Sequence, residues 1–342
     1  MFILAIDLSF MKLLRYVLFP FVPLYYLITW LRNRLYDLGW KTSESYNIPV
    51  ICVGNLSVGG TGKTPTVEYL VQLLKTDYKV AILSRGYKRN TKGFVMADEN
   101  ASASSIGDEP FQYYRKFKDV TIAVDANRRN GIAKLIAEVK PDVIILDDAF
   151  QHRKVKAKLN VLLTAYDNLY CNDMVLPTGN LREPKSGAKR AHLIMVTKCP
   201  DAISEKEKNQ IIKQLRPLEG QEVFFSSIAY SDVVFGVSKT KDIEELKKTP
   251  FTLVTGIANP KPLLRYLKNL GLQFDHLQFK DHHEFSDSDI KNLKSKSMIV
   301  TTEKDYVRLV GNFEDDSKLY YLPIQFKVDR AKQFEDQIKS FL

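Results

Sequence analysis

Six consecutive residues, Gly59-Gly60-Thr61-Gly62-Lys63-Thr64, combine a glycine-rich backbone with a cation and a hydroxyl. That is the set needed to hold a triphosphate and its magnesium ion. Glycine amides converge on phosphate oxygens, the lysine neutralises the outer phosphates, and the hydroxyl after it coordinates Mg²⁺. The usual pattern opens with a glycine five places before its last one, and here Ser57 stands in that place. Further along, Asp147-Asp148 follows the apolar run VIIL, where a carboxylate can reach the metal and its water shell, or simply sit solvated in a turn. Gln151 and His152 come next, in a loop beyond the strand where side chains can meet a bound substrate, although alone they would be ordinary. In Gly107-Asp108-Glu109-Pro110, Asp108 can accept the proton of a substrate hydroxyl or cap the helix FQYYRKF after it. Asp281-His282-His283 offers acid–base or orienting groups. A zinc site there would need further ligands at sensible spacing, and none follows.

These groups need strands to carry them. Apolar runs at 48–54, 79–84, 120–124, 143–146, 160–163 and 193–197 each lead into a polar or glycine-bearing turn, and helical spacing follows at 65–74 and 131–139. Nearly continuous apolar strands alternating with helices predict a largely parallel sheet sandwiched by helices, with ligands at the carboxyl ends of the strands. The expectation is an α/β, P-loop NTPase-like fold with a second, smaller α/β domain beginning between 200 and 230. The division expected is a membrane-associated element at 11–34, a P-loop kinase core at 35–220 and the smaller domain at 221–342. The serine-rich stretch 101–105 reads as a loop and the charged run around Lys239–Lys248 as a linker.

A chain of 342 residues, 45% hydrophobic, can bury a substantial core. Three cysteines without a CxxC pair argue against a disulfide framework or a thiolate zinc site, and for a reducing compartment. The net charge of +10 favours an anionic partner: a nucleotide, a nucleic acid, an acidic membrane face or a phosphorylated substrate. Residues 13–31 form an apolar stretch in which Arg15 is the only charge, and Arg32 and Arg34 follow it. A signal peptide, a full span and a protein-packed helix compete with an element lying in one leaflet. The last is expected, because Pro20 and Pro23 interrupt a regular span and Tyr25, Tyr26 and Trp30 suit an interface. Asp7 and Ser9 break the apolar run before it, so Met11 is the more natural start.

Taken in order, KLLRYVLFPF, VGNLSVGGTGKTP (53–65), SRGYKR (84–89), GDEP (107–110), DDAFQHR (147–153), TGNLREP (178–184), DHH (281–283) and TTEKDYVRL (301–309) resemble the tetraacyldisaccharide 4'-kinases of lipid A biosynthesis over nearly the whole chain. The resemblance implies transfer of the ATP γ-phosphoryl group to the 4'-hydroxyl of an acylated glucosamine disaccharide 1-phosphate, with Mg²⁺. It also implies a place on the cytoplasmic face of a Gram-negative inner membrane, against the lipid surface. Asp108 is then similar to the catalytic base, paired with His282, and Asp147 and Asp148 to the residues organising magnesium and the reacting groups. Arg182 and Glu183 match the LREP segment, with Glu183 assisting at the metal beside Thr64 and Asp147. Arg85, Gln151, His152 and Arg182 fall on the substrate side. Arg15, Arg32, Arg34, Arg85, Lys88 and Arg89 can face anionic lipid or substrate phosphate, or form an ordinary solvated surface. The chain departs from the family at Ala149-Phe150, where DDGLQH is common, and at Asn180, where proline is common. A hydrolysis-driven P-loop NTPase is the rival reading. A nucleic-acid binder is disfavoured for want of a reading motif, and the sequence carries no signal of oligomeric state.

Overall fold

A computed structural model describes residues 15–281, 283–313 and 318–342. The chain clusters into two compact units. One comprises the residues up to Arg85 with Asp119–Ser227 and Phe326–Leu342, and the other Gly86–Lys118 with Ile228–Gln325.

Strands are numbered along the chain. The first unit contains β1 (Val50–Asn55) and β2 (Val80–Ser84), while β3 (Val95–Met96) belongs to the second. β4 (Thr121–Val124), β5 (Val143–Asp147), β6 (Leu159–Ala165), β7 (Leu193–Cys199), β8 (Glu222–Tyr230) and β15 (Ile324–Val328) complete the first unit's sheet in the order β15-β8-β7-β6-β1-β5-β2-β4. Every neighbouring pair from β8 to β4 is parallel. All of β1, β2 and β5 is buried, as expected of strands covered on both faces. Because β5 returns between β1 and β2, the turn after β5 lies beside the loop after β1, with Val53 opposite Asp147. Gly54 permits this closeness, and Gly131 permits the close approach of helix Arg128–Glu138 to β2. A Cβ on Gly54 would lie 2.7 Å from Phe150 Cβ, and one on Gly131 would lie 2.7 Å from Leu83.

The N-terminal element differs from its expected form. Residues 11–14 and the suggested start region 1–10 lie outside the described residues. A 3₁₀ turn at Phe19–Phe21 is followed by a helix, Val22–Asp37, which runs past residue 34. Pro23 does not break this helix. It sits in the first turn, where a missing N–H costs nothing. Among the described residues no helix is long and apolar enough to cross a membrane.

In the second unit β9 (Val233–Phe235), β10 (Thr240–Asp242), β11 (Phe251–Thr255), β12 (Phe274–Gln278), β13 (Ile299–Thr302) and β14 (Leu319–Leu322) form a sheet ordered β10-β9-β14-β13-β11-β12. The central pairs are parallel and the β14-β9-β10 edge antiparallel. The expected linker at Lys239–Lys248 is instead β10 and a 3₁₀ turn with a capping box, burying Ile243 and Leu246. The expected loop at 101–105 likewise enters a short helix, Ala103–Ile106, capped by Ser102.

Candidate functional site

The first unit places the phosphate-loop motif between β1 and helix Lys63–Leu74. Gly59 (φ +103°) and Gly62 (φ +82°) occupy left-handed backbone that L side chains rarely adopt, so these two positions require glycine. Ser57 does not share that need. It pairs in extended fashion with Leu181, and Val58 N–H donates to the Asn180 carbonyl at 2.8 Å. Asn180, where the family often has proline, also donates to Asp173 at 2.9 Å and accepts from Arg15 at 3.0 Å. Lys63 and Thr64 open the helix, whose N-terminal partial charge favours an anion. The end of β7 backs the loop: the Thr197 hydroxyl donates to Thr61 O at 2.8 Å and Lys198 Nζ to Gly60 O at 2.6 Å.

Asp148 is the electrostatic centre of this cluster. Lys63 Nζ lies 3.7 Å from it, and Arg182 grips both its oxygens at 2.8 and 3.2 Å. Burial pushes its carboxyl up, but Lys63 and Arg182 outweigh that and hold it below the usual range. Its backbone is left-handed (φ +51°), a costly conformation that aspartate tolerates better than most residues. Asp147 is buried and accepts from Ser84 Oγ at 3.2 Å. Beneath the pair runs Arg128, buried, donating to the backbone carbonyls of Asp125 at 2.6 Å and Asp147 at 3.2 Å. Asn55 ties the cluster together: its Oδ1 accepts from Lys63 at 3.4 Å and from Arg182, while its Nδ2 donates to Ser57 O at 2.7 Å.

Glu183 organises the neighbouring loop. Its buried carboxylate receives Asn33 Nδ2 at 2.6 Å, Arg190 at 2.8 Å and Gln151 Nε2 at 2.9 Å. Gln151 Nε2 also donates to the Asn55 carbonyl at 2.8 Å. Arg190 lies over the Phe150 ring of DDAFQH, 4.7 Å from its centroid. His152 is held neutral, its pKa pushed down to about 4 by burial and then by Arg128 and other cations. Arg85 is exposed just beyond β2.

Helix Val22–Asp37 is fastened to these same loops. Tyr25 Oη donates to Arg182 O at 3.0 Å and Arg32 to Gln151 O at 2.7 Å. Arg15 and Arg32 therefore have protein partners, whereas Arg34 is exposed. The outward face carries Leu24, Leu27, Ile28 and Leu31, all exposed.

In the second unit Asp108 and Glu109 form the first turn of helix Asp108–Lys116, and Gly107 (φ +96°) is its cap residue. Asp108 Oδ2 accepts from Arg308 at 2.5 Å. His282 lies outside the described residues. His283 bonds Asp289 at 3.0 Å and stacks on Phe279. Lys88 and Arg89 belong to this unit too, Lys88 exposed and left-handed at φ +60°.

Asn55, Arg128, Arg190 and Lys198 escaped the sequence reading. Arg128 and Lys198 are recruited by sheet order, whereas Asn55 and Arg190 lie near the phosphate loop and Glu183 in sequence without a residue type that marks them.

A family model described as tetraacyldisaccharide-1-P 4'-kinase matches residues 14–342. A tetraacyldisaccharide 4'-kinase of Flavobacterium johnsoniae is 51% identical over 337 residues, covering 97% of this chain and 98% of that protein. One from Bacteroides thetaiotaomicron is 44% identical over 351 residues, covering 96% and 92%. Among solved structures, LpxK from Aquifex aeolicus in complex with ATP superimposes with a TM-score of 0.79 at 31% identity, over 96% of this chain and 99% of that one. With a match of this extent, the chain belongs to the tetraacyldisaccharide-1-P 4'-kinase family.

Proposed function

We propose that this chain transfers the γ-phosphoryl group of ATP to the 4'-hydroxyl of tetraacyldisaccharide 1-phosphate, giving the 1,4'-bisphosphate precursor of lipid A. The observation that carries this reading is the donor cluster. A left-handed glycine loop opens a helix, and Lys63 and Arg182 converge on Asp148 in the turn beside it. Lys63 and the loop amides bind the phosphates and stabilise charge on the transferring group. The acceptor oxygen attacks the γ-phosphorus as the bond to the ADP oxygen breaks, and Asp108 takes the hydroxyl proton, with His282 orienting it.

The donor set suits Mg²⁺, which takes hard oxygen ligands, only one or two of them carboxylates, and completes its shell with phosphate and water. Thr64 and Asp147 would hold it, with Asp148 beside them. When bound, the ion neutralises charge on the phosphate oxygens. Glu183 supports that site through the loop it anchors, because its carboxylate is already met by Asn33, Gln151 and Arg190. Arg85, Gln151, His152 and Arg182 serve the acceptor side, His152 as a neutral hydrogen-bonding group.

The apolar face of helix Val22–Asp37 supports peripheral attachment to the cytoplasmic face of the inner membrane, where an acylated acceptor resides. The test is incubation with Mg-ATP and tetraacyldisaccharide 1-phosphate in detergent, followed by mass spectrometry for one added phosphate. ATP hydrolysis at the same rate without acceptor, and no phosphorylated lipid, would favour the rival NTPase reading.

A further inference from the structure

The segment TTEKDYVRL has no part in the scheme above, yet it builds the support of Asp108. β13 ends at Thr302, which caps helix Glu303–Leu309. Asp305 is fully buried one turn in. It receives Gly256 N–H at 2.8 Å and the Thr302 hydroxyl at 2.7 Å, and Arg308 Nη1 reaches its other oxygen at 3.2 Å. Gly256 is fitted to this contact, since a Cβ there would lie 2.8 Å from Asp305 Oδ1. The other arm of the guanidinium, Nη2, donates to Asp108 Oδ2 at 2.5 Å. Arg308 is thus a planar fork with one prong on a carboxylate fixed in the core and the other on Asp108.

Further ion pairs lock the two helices in register. Lys304 lies 3.3 Å from Glu109 and Lys116 lies 3.2 Å from Glu303. The side chain of Arg308 is only 9% exposed, so water competes weakly for its hydrogen bonds.

We propose that Arg308, anchored by Asp305, is the positioning residue that holds the Asp108 carboxylate aimed for phosphoryl transfer. This rests on the reading of Asp108 as the base. Positioning is the larger share of what such a base contributes, because phosphoryl transfer asks for little proton abstraction before the transition state. Lysine cannot replace the fork, since one ammonium has no rigid pair of donors to span both carboxylates.

The experiment compares Arg308→Ala, Arg308→Lys, Asp305→Asn and Asp108→Asn in the full-length protein, measuring kcat, KM for ATP, the Kd of a non-hydrolysable ATP analogue and Tm. Arg308→Ala is expected to lower kcat at least tenfold, toward the ~100-fold that a misplacement of about 1 Å can cost, with KM and Kd for nucleotide within about twofold. Arg308→Lys should recover part of kcat, and Asp305→Asn should fall between it and wild type. Wild-type kcat in Arg308→Ala overturns the proposal. So does a loss shared equally by kcat, nucleotide Kd and Tm with no recovery in Arg308→Lys, which would mark a merely structural residue. If Asp108→Asn itself turns over normally, the base reading fails. If Asp108→Asn is inactive while Arg308→Ala is normal, only the positioning role falls.

Discussion

Asn33, the buried residue of helix Val22–Asp37, donates its side-chain amide to Glu183 Oε2 at 2.6 Å. A helix whose outer face is apolar is therefore joined through a buried bond to the loop that carries Arg182. Asn33→Ala leaves the buried carboxylate short of one donor, at a cost of about 1–3 kcal/mol. Calorimetric unfolding should show that loss, and steady-state assays should show reduced kcat with little change in nucleotide affinity. Asn33→Asp, which sets a second carboxylate against Glu183, should be worse on both counts. An Asn33→Asp protein as stable as wild type would remove the bond from the account.

Lys63 and Asp148 are 3.7 Å apart, and Arg182 shares the same carboxylate. Lys63→Ala should weaken ATP-analogue binding and turnover together. Asp148→Asn should leave analogue binding intact or tighter while kcat drops at least tenfold, since it removes a negative charge from beneath the phosphates. Titration calorimetry and initial rates separate the two effects.

Gly54 and Phe150 approach so closely that a methyl group on Gly54 would sit 2.7 Å from Phe150 Cβ and 3.0 Å from its backbone N. Gly54→Ala is expected to destabilise by about 1–3 kcal/mol, the usual range for overpacking. It should also lower kcat by displacing the adjoining Asp148 turn. Chemical denaturation checks the first effect and rate assays the second.

His152 has a folded-state pKa pushed from 6.5 down to about 4, so the unfolded chain binds its proton more readily. Its contribution is fully present above about pH 6.5 and is lost as pH falls from there toward 4. Melting temperatures followed from pH 7 to pH 4.5 should decline less steeply in His152→Asn than in wild type. Parallel curves would contradict the assignment.

Leu24, Leu27 and Ile28 are exposed on the same helix. Replacing all three by serine should change Tm little, because they are not buried, while reducing co-sedimentation with lipid vesicles several-fold. Unchanged sedimentation would shift membrane attachment to another surface.

The phosphate loop and the strand-helix rhythm were legible because both are local patterns, a run of six residues and an alternation of apolar and polar segments. Ser57 looked like a defect in the motif only because its extended pairing with Leu181 depends on a segment more than 120 residues away. Arg128 and Lys198 belong to the site through the order β7-β6-β1-β5-β2, which no local spacing encodes. At Lys239–Lys248 abundant charge masked Ile243 and Leu246, the two residues that bury the turn. Asp108 was legible as a carboxylate with a choice of roles. Its grip by Arg308 was not, since the two are 200 positions apart.

The first unit is assembled from separated stretches of chain, the last of them Phe326–Leu342. From that stretch Phe334 and Ile338 enter the core fully buried, Phe334 packs edge-on to Phe224, and Glu335 receives the Tyr69 hydroxyl at 2.6 Å. During synthesis the core around Phe224 is therefore completed only after Ile228–Gln325 of the other unit has been translated. A nascent chain stalled shortly before Phe334 should therefore display an apolar gap to chaperones and proteases although every residue of its phosphate loop has already emerged.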